Sequence, residues 1–300
     1  LEFPAEAGLR QHLEILIARA YAEIHETRSG AWPVSLRRWF WQTFPQTIRR
    51  HHVWLLGSFL IMLTGALFGA VTLMVEPSAK ATLLPFEHLQ HSPTERVRAE
   101  ESQQHDRIAG QAGTFSAMLM TNNIKVSILT LALGMTFGLG TIIMLFYNGV
   151  ILGVVAWDYI LDGQARFLAG WLLPHGSIEI PAILIAGQAG LILGRALIGW
   201  NCAIDVKARL RQIAPDLATL VGGVALLLVW AGLIEAFFSQ YHEPVLPYAL
   251  KIAFGLAEMT LLGLFLHQSG RTGNLRQRWQ AFRRGAATRL QQESTSRRRE

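Results

Sequence analysis

Six titratable or charged side chains fall inside stretches that are otherwise apolar, and chemistry would reside there. His175 and Glu179 lie four residues apart in Leu173-Pro174-His175-Gly176-Ser177-Ile178-Glu179-Ile180-Pro181. On a helix that spacing puts both on one face. An imidazole can exchange a proton near neutral pH, and a carboxylate can orient it. The same two groups could be two of a metal's ligands, although a third is needed for a definite site. Three readings stand side by side: a hydrogen-bonded structural pair, an ion or ligand site, and catalysis. Asn122, Asn123, Asp158, Asp162, His242 and Glu243 are expected on the same side and are candidate completing groups. Ser177 adjoins His175, but a nucleophile and its base must meet in space, which adjacency alone does not secure. The residues imply no cofactor.

The other four are Arg195, Glu235, Lys251 and Glu258. A charge at the centre of a bilayer costs about 2.5–3.5 kcal/mol on insertion scales, so such residues pair with each other or line a path. Glu258 is expected near the middle of the last span. Arg195 is expected about 5 Å nearer the cytoplasm, within reach of it. Glu235 and Lys251 are expected nearer the outer surface, paired there. Structural ion pairs are one reading of the four; a proton or cation path through Glu258 is the other.

The elements that position these groups are membrane spans. The chain has 300 residues, 51% hydrophobic and only 16% charged, with a mean hydropathy of +0.29. Soluble domains carry about 25% charged residues. The single cysteine, Cys202, excludes a disulfide scaffold and a cysteine metal cluster. Val53–Val75 carries no charge and reads as a signal anchor. The run 126–160 is too long for one helix, and Tyr147-Asn148-Gly149 is its natural turn, giving Val126–Phe146 and Gly149–Leu161. Ile178–Trp200, Leu217–Phe238 and Val245–Leu266 follow, and residues 164–176 form a candidate interfacial or re-entrant helix. The expected fold is all-α and polytopic, with about six transmembrane helices.

Charge sets the orientation. Arg37, Arg38, Arg49 and Arg50, then Lys207, Arg209 and Arg211, and then the Arg-rich tail 268–300 all fall on one side of a six-span arrangement. Loop 76–123, with four basic and six acidic residues, falls on the other. Basic loops stay inside, so both termini are expected in the cytoplasm. Three regions result: a cytoplasmic amphipathic and basic/aromatic segment (1–52), a helical membrane domain (53–267) and the tail (268–300). Residues 8–28 have helical apolar spacing, and Trp32, Trp39, Phe40, Trp41 and Phe44 suit an interfacial belt. The lipid bilayer is the first partner, with anionic lipids at the tail and no nucleic acid.

Glycines recur at four-residue spacing: Gly65/Gly69, Gly134/Gly138, Gly149/Gly153 and Gly190/Gly194. Such positions let helix backbones approach closely in lipid. A homo-oligomer would use the same faces. Phosphate-binding loops, the H-E-x-x-H zinc motif and the G-x-S-x-G nucleophile motif do not occur.

One pattern is recognisable as a whole. Asn122-Asn123, Gly134, Gly138-Leu139-Gly140, Tyr147-Asn148-Gly149, Gly153, the Pro174-His175-Gly176-Ser177-Ile178-Glu179-Ile180-Pro181-Ala182 element and Ala186-Gly187-Gln188-Ala189-Gly190 resemble the stage II sporulation protein M family of integral membrane proteins. The likeness covers roughly residues 115–200. Its signature positions are Asn123, Asn148, Gly149, Pro174, His175, Gly176, Glu179 and Pro181. The resemblance implies a multi-pass helical protein of a prokaryotic plasma (inner) membrane, bacterial or archaeal. In spore formers the founding member works with peptidoglycan-degrading partners during engulfment as a membrane scaffold. The expected role is therefore a scaffold or assembly factor for envelope or membrane proteins rather than an enzyme. A channel or transporter is the alternative, and an intramembrane His/Glu hydrolase the second alternative.

Overall fold

The computed structural model describes residues 35–84, 90–102, 112–239, 241, 243 and 245–271. The amphipathic segment 8–28, the tail beyond Arg271 and His242 lie outside the described residues. The chain divides into a unit through Trp39 and a unit from Phe40 onward. In the first, a single helical turn, Leu36–Arg38, is capped by the Ser35 hydroxyl.

All described secondary structure of the second unit is helical. We label α1 Phe44–Arg50, α2 His52–Val75, α3 Pro93–Ser102, α4 Ala112–Ala132, α5 Leu139–Leu161, α6 Ala165–Ile198, α7 Val206–Ile234 and α8 Tyr248–Gln268. A π-helical turn, Glu235–Ser239, prolongs α7. Five helices are long and apolar enough to cross a membrane: α2, α5, α6, α7 with its π-turn, and α8. The sixth long helix, α4, carries Asn122, Asn123 and Lys125 and is less apolar.

Two boundaries differ from the sequence expectation. The 126–160 run breaks at 133–138, not at Tyr147-Asn148-Gly149. A 3₁₀ turn, Leu133–Met135, leads to Phe137 and Gly138 at positive φ (56° and 86°). The Thr136 hydroxyl accepts from the Gly140 amide and so caps α5. Thr141 Oγ1 donates to the Thr130 carbonyl across the turn. Asn148 instead spends its amide within the helix, on the Met144 carbonyl, and Gly149 is a packing position. The second difference is that 164–176 is no separate interfacial or re-entrant helix. It is the first third of α6, a continuous 34-residue helix about 51 Å long that contains Pro174 and Pro181. Proline removes one helical N–H and crowds the carbonyl four residues back. Neighbouring helices on several sides hold α6 in line despite this, as membrane bundles permit.

α6 is the axis. It packs against α2, α4, α5, α7 and α8, and 67% of its apolar stretch is buried against 17% for α8. The most extensive pair is α2 with α5. They run parallel with glycines facing across the seam. A Cβ on Gly65, Gly69, Gly149 or Gly153 would lie 1.9–2.3 Å from a carbonyl oxygen of the opposite helix. A Cβ on Gly134 would lie 2.4 Å from the Gly190 carbonyl oxygen, and one on Gly194 would lie 2.5 Å from the Gly138 amide nitrogen.

At one end of the bundle α1 wedges its Phe44 ring against Gly223 of α7. Arg49 donates to the carbonyls of Leu266 and Ser269, and Gln46 to that of Gly270. The chain therefore enters and leaves the described bundle at the same end. Gln188 of α6 donates to the Ile48 and His51 carbonyls, 3.0 Å each, where α1 breaks into α2. At the other end the segment after α2 is fastened down. Lys80 pairs with Asp158 at 2.8 Å. Val97 of α3 is buried among Tyr159, Phe167, Leu168 and Tyr248. Thr94 N donates to Asp162, and Tyr248 Oη to Glu101.

Two measurements follow. Gly149→Ala should destabilise the folded chain in detergent by about 1–3 kcal/mol through overpacking. Gly263→Ala, where a Cβ meets nothing within 4 Å, should leave the melting temperature unchanged or raise it. The Thr94 side chain and amide hold the Asp162 carboxyl below its ordinary value. A depressed carboxyl stabilises fully above its unfolded pKa and loses that contribution as pH falls through the folded value. The protection factor of the Thr94 amide, its exchange rate relative to the unstructured rate at the same pH, should therefore hold down to about pH 4 and fall below it, and Asp162→Asn should remove that step.

Candidate functional site

The site is a buried polar cluster where α4, α6, the end of α7 and α8 meet. Its register follows from backbone contacts. α4 and α6 run parallel. Asn123 hydrogen-bonds Glu179, and eleven residues farther along both helices Gly134 meets Gly190. α6 and α7 run antiparallel. His175 Nδ1 and Ser239 Oγ lie 3.1 Å apart. One turn on from His175 and one turn back from Ser239, Glu179 and Glu235 come level and interact electrostatically. The π-turn that carries both Glu235 and Ser239 sets this match, and π-bulges are frequent at functional sites.

Burial is nearly complete. Glu235 is 3% exposed, Glu179 7%, His175 4% and Lys251 0%. The His175 ring is edge-on to Trp171. Lys251 Nζ donates to the carbonyls of Ser239 (2.6 Å) and Tyr241 (2.8 Å), covering C-terminal oxygens of α7 and its π-turn. Glu258 accepts from Ser177 Oγ at 2.9 Å and from Trp230 Nε1 at 2.5 Å. Glu235 Oε2 is buried with no hydrogen-bond partner.

Several expected pairings are rearranged. Glu258 is held by Ser177 and Trp230, not by Arg195. Arg195 lies at the opposite end of the bundle, with its guanidinium 5.8 Å from the Trp54 ring centre. Lys251 turns to backbone carbonyls rather than to Glu235. His175 and Glu179 share a face of α6, as their spacing predicts, but bond to different partners, Ser239 and Asn123. Of the candidate completing groups among the described residues, Asn123 alone reaches the cluster. Asn122 is exposed, Asp158 pairs with Lys80, Asp162 caps onto Thr94, and Glu243 pairs with Arg166 at 3.0 Å. Ser239 and Trp230 are members that sequence reasoning missed. A serine at the end of an apolar run and a tryptophan inside one carry no spacing signal.

The chemistry available is proton and cation handling. Two facing carboxyls in a low-dielectric interior cannot both carry unscreened charge, so the pair holds a proton or a bound cation. Among the described residues, no three His, Cys, Asp or Glu side chains converge as metal ligands. Asn123, Glu179, Glu235 and Ser239 offer oxygen atoms suited to a hard monovalent ion or a shared proton.

With that geometry in view, the comparisons with known proteins can be placed on it. A sequence model of the stage II sporulation protein M family matches residues 58–240. That stretch runs from α2 through the π-turn and contains Asn123, His175, Glu179 and Glu235; Lys251 and Glu258 fall beyond it. An uncharacterized protein of Methanocaldococcus jannaschii is 42% identical over 122 residues, covering 40% of this chain and 68% of that relative. A second uncharacterized protein of the same organism is 29% identical over 119 residues, covering 38% of this chain and 50% of the relative. No solved structure matches the chain. The family match takes in more than half of the sequence and both glycine seams around the central helix, and on that basis the chain belongs to the stage II sporulation protein M family.

Proposed function

We propose that this chain is an integral scaffold or assembly factor of a prokaryotic inner membrane, crossing six times with both termini in the cytoplasm. The observation that carries the reading is the fastened outer segment. α3 is locked to α5, α6 and α8 through Asp162, Tyr159, Phe167 and Tyr248. Its charged side chains Glu95 and Arg98 lie outermost. A polar helix held this firmly on the helix ends is suited to present a surface to another protein. The basic residues gathered at the α1 end, Arg49, Arg50, Lys207 and Arg209, support the cytoplasmic assignment of that end. A photoreactive amino acid replacing Arg98 should cross-link one recurring envelope or membrane protein in native membranes. Asp162→Ala should abolish that adduct while the chain stays folded in the membrane. A scatter of unrelated adducts, or one indifferent to Asp162→Ala, removes the reading.

The Glu235 carboxyl, which faces Glu179 and leaves Oε2 buried without a hydrogen-bond partner, favours a second reading, movement of a proton or monovalent cation through the bundle. Intramembrane carboxyls that lack a structural partner commonly belong to such paths. In proteoliposomes this reading expects proton or cation flux above empty vesicles that Glu235→Gln abolishes and that Glu258→Gln or His175→Ala lowers. Equal leak from all four proteins, each folded and oriented alike, excludes it.

A further inference from the structure

The end of the bundle opposite the carboxyl cluster holds a cavity of about 190 Å³ between α2, α6 and α7. It is lined by His51, Trp54, Arg195, Trp200, Arg209 and Gln212, among others. Its charge is one-sided. Arg209 is committed to structure: its guanidinium donates to the carbonyls of Ala196 (2.7 Å), Leu197 (3.3 Å) and Ile204 (2.6 Å) and closes the C-terminus of α6. Those carbonyls are therefore capped and do not repel an anion. His51 Nε2 is 2.8 Å from Asp216, which also pairs with Arg50. Arg195 is different. It is exposed, it leans on the face of Trp54, and no described carboxylate lies within ion-pair distance of it.

Depth identifies what meets this arginine. Trp54 and the 75% exposed Trp200 flank the cavity. Tryptophans of this kind sit at the headgroup level of a bilayer. A guanidinium with no described carboxylate partner at that depth, beside an indole and an amide donor (Gln212), faces lipid phosphates. A planar fork of N–H donors suits two oxygens of one phosphate. Basic pockets between transmembrane helices at this level take anionic headgroups.

We propose that this cavity is a binding site for the headgroup phosphate of one anionic glycerophospholipid, with Arg195 as the binding cation and Trp54 and Trp200 as walls along the lipid. The Arg-rich tail is expected to attract the same lipids by charge alone, without a pocket. It is independent of the functions proposed above.

The test is native mass spectrometry of the full chain released from nanodiscs of phosphatidylglycerol and phosphatidylcholine in equal amounts. Samples are washed at about 1 M salt, where exposed charges interact only over some 3 Å. The parent chain should retain one phosphatidylglycerol in preference to phosphatidylcholine. Arg195→Gln should lower that preference roughly fivefold, Arg195→Lys should restore part of it, and Arg98→Gln at the far end should leave it unchanged. Should Arg195→Gln fail to fold, Trp200→Ala, which removes an exposed side chain, should give the same loss. Equal retention of the two lipids by the parent, or undiminished preference in Arg195→Gln or Trp200→Ala, overturns the site. Displacement of the lipid by millimolar inorganic phosphate, with phosphate alone raising the melting temperature, would make the ligand free phosphate and overturn the lipid assignment.

Discussion

Everything in this bundle depends on how closely helix backbones can approach α6 and each other. In lipid there is no hydrophobic force between helices, so association rests on van der Waals contact and hydrogen bonds. Glycine supplies that contact by removing the side chain. Gly65 and Gly69 rest on the carbonyls of Phe146 and Val150, while Gly149 and Gly153 rest on those of Met62 and Ala66. The seam is reciprocal: neither helix can rotate or slide without driving a Cβ-sized gap into a carbonyl. Gly134 and Gly138 do the same for the α4–α5 turn against Gly190 and Gly194. This last contact explains why a turn with Phe137 at positive φ is tolerated. The turn is clamped on α6, and an arrangement over-determined by its surroundings can hold a sparsely populated backbone conformation.

Close packing around one central helix has a second consequence. Polar groups on α6 have no water to turn to, so each needs a partner from a neighbour. Gln188 finds two carbonyls at the α1–α2 break, Ser177 finds Glu258, His175 finds Ser239, and Glu179 finds Asn123. These bonds radiate to four different elements and lock their registers. Glu235 breaks the pattern with a carboxylate oxygen left over. Ser127 Oγ, Trp157 Nε1 and the side-chain oxygen of Gln188 are likewise buried without a hydrogen-bond partner, but Glu235 is the carboxyl among them.

The two ends of the molecule divide the work. One end carries a folded-down polar segment secured by aromatic packing and carboxylate hydrogen bonds. The other carries arginines, indoles and a basic cavity. The carboxyl cluster lies toward the first end, within reach of the π-turn and the α3 platform through Lys251 and Tyr248.

The apolar runs, the scarcity of charge and the glycine spacing were enough to read an all-helical membrane protein and its packing faces, while the family came from the resemblance carried by Asn123, Asn148-Gly149 and the Pro174–Pro181 element. Those are one-dimensional properties: period, length and residue size. The His175–Glu179 spacing likewise placed both groups on one face of α6 before any coordinates. Their partners were not legible. Asn123 meets Glu179 because α4 runs parallel to α6 at the offset that Gly134 and Gly190 impose, and Glu235 meets it because a π-turn rephases the end of α7. Arg195 was placed within reach of Glu258 on depth alone, yet Arg195 lies beside Trp54 at the α1 end while Glu258, midway along α8, bonds Ser177 and Trp230. Local turn signals failed at Tyr147-Asn148-Gly149 and at Pro174-His175-Gly176 for one reason. In a packed membrane interior, neighbouring backbones decide whether a glycine or proline breaks a helix or seats it. Sequence determined which helices form and which faces they bury; tertiary contact alone determined where they break and which buried charges come together.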